Sequence, residues 1–401
     1  MPVIIFSTIE ALLVARWLTR YGLAALAHRR TRSVDSANLT ATGTGRWVRG
    51  QRLIPQALMV VLLLGIMFSS LRTDYYFHGQ LPFSIGFQWP QSSPHTELAQ
   101  HFIDMIPADA SVSAQTKLVP HLSHRASIYM FPYAADPKYL NKQPVDKLAD
   151  YVLLDVTGDI YPFDAQTDAQ AYTREVKSVL ASGNYGVVAA QDGYLLLKRG
   201  LPAPHTLPST TTTAQTSDPA SLLFDLPASF CSNIYVSPRE VKNPLQVDFS
   251  RPGSGTMHLV GYDVGASSPF SRTNGYGTLT TYWRVDQPGK VPLQMLTLFK
   301  GSNGQEYMVN MDMPDLSWCP TQSWKAGTIV RLASRTFNLQ KSGIPNGLAQ
   351  MSIALLPQGQ TSSTIMDVQA RLPLQVLNAP PTVTANQSTK VLQLMPITIV
   401  D

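Results

Sequence analysis

The sequence predicts a membrane-anchored, multidomain protein with two N-terminal transmembrane helices, a small α/β domain and a C-terminal antiparallel β-sandwich. Three observations carry this expectation: two apolar runs near the N-terminus flank a basic stretch, helix-like and strand-like patterns alternate over residues 95–199, and short β-branched or aromatic runs recur from residue 223. At 401 residues the chain also exceeds a usual domain of about 100 to 200. Only 14% of its residues are charged, while 44% are hydrophobic. That balance excludes a disordered polyelectrolyte, a coiled coil and a ribosomal-type basic protein.

The net charge of +5 has a local origin. Arg29, Arg30, Arg32, Arg46, Arg49 and Arg52 face a single Asp35 within residues 28–52. Removing those six and Asp35 from the 31 basic and 26 acidic residues leaves 25 of each, so no general basic surface tracks a phosphate backbone and no nucleic-acid partner is expected.

Residues 53–71 (LIPQALMVVLLLGIMFSSL) carry no charge over 19 positions, close to the span of a bilayer core, and predict one transmembrane helix. Residues 2–27 predict a weaker one, because Glu10, Arg16 and Arg20 interrupt it; a helix lying at the membrane surface is the alternative. A basic loop between two spans is expected in the cytoplasm, which places residues 73–401 on the extracytoplasmic side. The lipid bilayer is thus the first expected partner. Tyr75, Tyr76, Phe77, Phe83, Phe87 and Trp89 follow as an aromatic collar suited to the headgroup level.

Residues 73–199 are expected to form the α/β domain. Leu98, Phe102, Ile103 and Ile106 repeat at helical spacing until Pro107, and apolar runs at 111–114, 128–131 and 151–155 predict strands. A second helix is expected over 169–180. Residues 185–190 and 194–198 flank Gln191-Asp192-Gly193, a strong hairpin signal.

The string Ile106-Pro107-Ala108-Asp109-Ala110-Ser111-Val112-Ser113-Ala114-Gln115, with Leu118-Val119-Pro120-His121-Leu122-Ser123-His124-Arg125, Ile128-Tyr129, Phe131-Pro132 and Asp150-Tyr151-Val152-Leu153-Leu154-Asp155, resembles the bacterial membrane-protein family called domain of unknown function 2079. The resemblance covers about residues 75–199 and the preceding apolar run. It implies kinship with polytopic GT-C-type glycosyltransferases, which use a lipid-linked sugar donor. Only the last helices and the outer domain of such an enzyme have a counterpart here. Asp74 follows the family's terminal helix and not its first outer loop, so no catalytic residue is assigned.

The resemblance makes His121 and Arg125 candidates for contacting a ligand or a partner. Asp155 joins them because it ends a strand, where ligands gather in open α/β sheets; Asp159 and Asp164 follow it. His121 and His124 alone fall short of a zinc centre, and no phosphate loop or nucleophile elbow occurs, so neither metal nor cofactor is expected.

Residues 200–222, with Pro202, Pro204, Pro208 and a Ser/Thr run, are expected to be a linker. In the β-sandwich expected over 223–380, strands are predicted at 234–236, 245–249, 258–264, 278–285, 294–299, 307–311, 329–339, 351–356 and 368–376. Thr280-Thr281-Tyr282-Trp283 and Pro320-Thr321-Gln322-Ser323-Trp324-Lys325-Ala326-Gly327 resemble immunoglobulin-like modules appended to bacterial membrane glycosyltransferases. Trp283, Trp318 and Trp324 are candidates for stacking on cell-surface carbohydrate, with burial in the core as the alternative. Cys231 and Cys319, the only two cysteines, suit a disulfide in an oxidising compartment or two buried thiols. Residues 381–401 read as a tail, either an edge strand or loose.

Together these features predict an extracytoplasmic binding or accessory protein of the cell membrane, not catalytic alone. The alternative is a split glycosyltransferase subunit whose missing helices come from a polytopic membrane protein.

Overall fold

The computed structural model describes residues 45–76 and 92–401, except 142–144, 159, 164–167, 208–217, 252–254, 267, 288–290 and 359–363; the side chains of 45–58 and of Arg251 also fall outside it. Residues 1–92 and 93–401 are separate units.

In the first unit, Gly45–Tyr76 forms helix α1. Among the described residues no helix is long and apolar enough to cross a membrane, which overturns the expected pair of N-terminal transmembrane helices. The first expected span, 2–27, lies outside the described residues. The second expected span, 53–71, falls within α1.

The second unit opens with helix α2, Pro94–Asp104. Ser93 caps it: its hydroxyl accepts from Thr96 N at 3.2 Å, Thr96 Oγ1 accepts from Ser93 N at 2.8 Å, and Pro94 supplies a φ already suited to the first turn. Phe102 and Ile103 anchor its inner face. Strands β1 (Val112–Ala114), β2 (Ile128–Met130) and β3 (Tyr151–Asp155), helix α3 (Ala169–Ala181) and strands β4 (Tyr185–Gln191) and β5 (Tyr194–Arg199) follow. The sheet order is β2-β1-β3-β5-β4. β1 pairs in parallel with both β2 and β3, and β3 pairs antiparallel with β5. The β4–β5 hairpin turns at Asp192 (φ 48°) and Gly193 (φ 83°), two left-handed positions that explain the Asp-Gly pair. Because the chain steps from β1 to β2 on one side and returns to β3 on the other, the carboxyl ends of β1 and β3 form a topological switch point.

The remaining strands are β6 (Tyr235–Val236), β7 (Pro244–Arg251), β8 (Gly255–Gly265), β9 (Phe270–Ser271), β10 (Thr278–Val285), β11 (Leu293–Lys300) and β12 (Glu306–Met308), then helix α4 (Pro314–Trp318), β13 (Ile329–Ala333), β14 (Gly347–Pro357), β15 (Leu374–Asn378), β16 (Thr384–Asn386) and β17 (Val391–Val400). One sheet runs β15-β7-β8-β10-β13-β6 and another β12-β11-β14-β17-β16, with β9 added to β17. Phe249 and Trp283 of the first sheet and Phe299, Ile353 and Leu394 of the second belong to one buried cluster, which continues into Val152, Leu154, Tyr172 and Val176 of the α/β portion.

Two details differ from expectation. Residues expected as a tail form β16 and the ten-residue β17, whose Leu392, Leu394, Ile397 and Ile399 are buried as it pairs with β14. The flanks of the expected linker are attached to the body: Asp218 binds Arg174 of α3 at 2.8 and 3.0 Å, and Thr206 bridges Phe224. Residues 208–217 lie outside the described residues.

Candidate functional site

The switch point is where the polar chemistry of the α/β portion gathers. β1 ends beside Gln115, β3 ends in Asp155, and α2 starts with His95 above them. Asp155 Oδ1 accepts from Thr157 N (3.1 Å), Thr157 Oγ1 (2.8 Å) and Gly158 N (2.9 Å), a side-chain-organised turn. Its Oδ2 meets His95 Nε2 at 3.0 Å. Gln115 ties the two strands together, its Oε1 accepting from Asp155 N at 2.8 Å. The turn admits nothing larger than glycine, since a Cβ on Gly158 would sit 2.3 Å from Asp155 Oδ2, and one on Gly193 2.6 Å from Thr157.

The other face of this turn is held from the β-rich portion. Arg335 donates to Val156 O at 2.5 Å and pairs with Asp312 at 2.6 Å. Burial raises the Asp312 carboxyl above its usual range despite that arginine.

His95 closes the arrangement. Its ring stacks on Tyr194 at 4.5 Å between centroids and its side chain is 36% exposed, whereas that of Asp155 is 14% exposed. The hydrogen bond to Asp155 outweighs burial and, with the charges of Asp155 and Asp192, raises the imidazole above its usual value. Burial opposes the charge of Asp155, yet the hydrogen bond and charge of His95 and the Thr157 and Gly158 donors hold its carboxyl below the usual range. Among the described residues only Nε2 of His95 is engaged. Nδ1 therefore accepts when the ring is neutral and donates when it is protonated.

The candidate residues read from sequence are distributed unevenly. Asp155 sits at the centre of this site. His121 is exposed on the 3₁₀ turn Val119–Leu122 and makes no contact with it. Arg125 is not available to a ligand: it is 8% exposed, and its guanidinium donates to the carbonyls of Ile106 (2.8 Å) and Pro107, fastening the end of α2. Trp283, Trp318 and Trp324 are 0%, 8% and 1% exposed, so they do not present a carbohydrate-stacking face. Trp283 and Trp324 direct their indole N–H groups to Thr281 Oγ1 (2.8 Å) and Cys319 O (2.9 Å). Cys231 and Cys319 are disulfide-bonded across 88 residues. Asp159 and Asp164 lie outside the described residues, and among the described residues no group of three or more His, Cys, Asp or Glu side chains is placed to hold a metal.

Sequence reasoning missed His95, Thr157, Tyr194 and Arg335. The only local signal was Gly158 three residues after Asp155, a spacing that an aspartate-organised turn demands.

Fold and site together describe a mixed α/β unit continuous with a β-rich body, with a histidine–aspartate mouth at the sheet's switch point. Residues 23–196 match the model of a family described as "Predicted membrane protein (DUF2079)". The chain is similar to that family over those residues, which include the whole mouth except Arg335, and the β-rich portion lies beyond the match. No curated protein and no solved structure matches the chain.

Proposed function

We propose that this chain is a membrane-associated, extracytoplasmic binding or accessory protein whose partner docks at the His95–Asp155 mouth. The observation that carries the reading is the division of labour within the pair. Asp155 has both oxygens engaged inside the protein, so it orients and charges His95, while the outer ring nitrogen has no partner among the described residues. That arrangement suits recognition, because the pair presents one oriented, partly exposed imidazole edge to a partner. The Cys231–Cys319 bridge supports an oxidising compartment, and the match to a predicted membrane protein family supports the membrane. The partner we favour is a polytopic membrane protein.

The test is co-purification of the tagged full-length chain from membranes of its native host in mild detergent. Stoichiometric recovery of a polytopic membrane protein is the expected result. If that protein carries a glycosyltransferase's acidic outer loop, this chain becomes the accessory subunit of a split enzyme. Recovery of the chain alone would overturn the accessory reading.

A further inference from the structure

A cavity of about 620 Å³ opens beside the disulfide, and no part of the His95 mouth lines it. Its wall is the segment after the 3₁₀ turn Pro219–Ser221, with Leu222, Leu223, Phe224 and Leu226 all half-buried, completed by Phe230 and Trp318. Half-buried leucines gathered around one opening are what an apolar ligand site requires.

Lys177 of α3 lines the same cavity although it is only 2% exposed. Its Nζ donates to Ala220 O (2.9 Å) and Ser317 O (3.2 Å) and lies 5.3 Å from the centroid of the Trp318 ring. An ammonium carries three N–H donors, so two carbonyls leave one for a further acceptor. Among the described residues no carboxylate contacts it directly: Asp218, the acid that acts on it, is held by Arg174 through two hydrogen bonds. Burial pulls the amine down to about 8, with Asp218 opposing. At the rim, Lys325 rests over the Tyr235 ring and Asp225 is exposed. A hydrocarbon wall with a buried ammonium still owed an acceptor selects one chemistry, an apolar chain ending in an anion.

We propose that this cavity binds a single-chain amphipath with a carboxylate head, its hydrocarbon against Leu223, Phe224, Leu226 and Trp318 and its head on Lys177. The inference is independent of the His95 reading. The carboxylate supplies an acceptor for the third N–H of Lys177, the hydrocarbon removes apolar wall from water, and Lys325 adds attraction at the entrance.

Calorimetric titration of the full-length protein with dodecanoate, dodecan-1-ol and dodecyltrimethylammonium, each below its micelle concentration, tests this. Dodecanoate is expected to bind saturably at one site, about tenfold or more tighter than the alcohol, as one charge-assisted hydrogen bond implies. Its affinity should decline as pH rises through about 8, where Lys177 loses its proton, while that of the alcohol stays flat. Lys177→Met should abolish the preference for the acid over the alcohol, and Leu223→Glu at the wall should weaken both; the thermal midpoint of each variant confirms folding. Equal affinity for acid and alcohol in the wild-type protein, or absence of saturable heat, overturns the proposal without recourse to any variant.

Discussion

His95 and His258 each meet aspartate, one in each half of the second unit, and the difference between them is the basis of the proposed docking site. His258 on β8 is pinned at both nitrogens, with Nδ1 2.7 Å from Asp248 of β7 and Nε2 2.9 Å from Asp286 after β10. Burial lowers its affinity for a proton, but the two carboxylates prevail and raise it. With 9% of its side chain exposed and neither nitrogen free, it is a clasp across neighbouring strands. Among the described residues His95 has the same chemistry with one carboxylate, one nitrogen without a partner and four times the exposure. Antiparallel strands set charges side by side along their length, where they satisfy one another. Parallel strands end together and leave a crevice, so a side chain arriving from a helix retains an unused edge.

The largest expected effect is at Asp155. Asp155→Ala removes the acceptor of three donors in its own turn and the partner of His95, and should cost about 3 kcal/mol at pH 7, read from urea unfolding midpoints. A loss below the experimental error would mean that the mouth is not built around this carboxylate. The β-rich half should respond in the opposite sense at Asp315. Burial raises its carboxyl to about 6, so the fold favours its protonated form, and the stability this gives is lost as pH rises from the unfolded value of 3.8 through about 6. Asp315→Asn keeps an acceptor for Ala333 N and should stabilise by on the order of 2 kcal/mol at pH 8, with almost no effect at pH 4.

Smaller effects separate the two histidines. His258→Ala should cost about 1 kcal/mol near pH 6, since Asp286 is well exposed and screened. His95→Ala should cost less than about 1 kcal/mol, because its ring is itself partly solvated. Both contributions should be fully present below the ordinary imidazole value of 6.5 and fade as pH rises through the raised folded values, so both costs shrink at pH 9. Equal loss of partner recovery in the two variants would erase the distinction drawn between them.

Local features were legible in the sequence where the controlling physics is local. The helix stop at Pro107 and the Asp192-Gly193 turn depend on neighbours a few residues away, and most β-rich runs, such as 278–285, are strands because their alternation survives any pairing. Residues 368–370 form a 3₁₀ turn instead, and the strand begins at Leu374. The run that forms β17 was open between an edge strand and a loose end because its polar approach fits both; pairing with β14 on one side and β16 on the other makes it an inner strand. Arg125 misled because a basic residue in a family-like motif has the same letter whether it contacts a ligand or fastens a helix end. The tryptophans were open to two readings for a related reason, since aromatic area serves a core as well as a sugar face, and they are buried. The mouth itself unites His95, Gln115, Asp155, Tyr194 and Arg335, and only the sheet order, which no short window contains, brings them together.

The most direct test is a three-way co-purification from native-host membranes, with wild-type, His95→Ala and His258→Ala chains carrying the same tag. A membrane-protein partner is expected to be recovered with the wild type and with His258→Ala, and to be lost with His95→Ala although that chain remains folded and membrane-associated. Undiminished recovery with His95→Ala would contradict it.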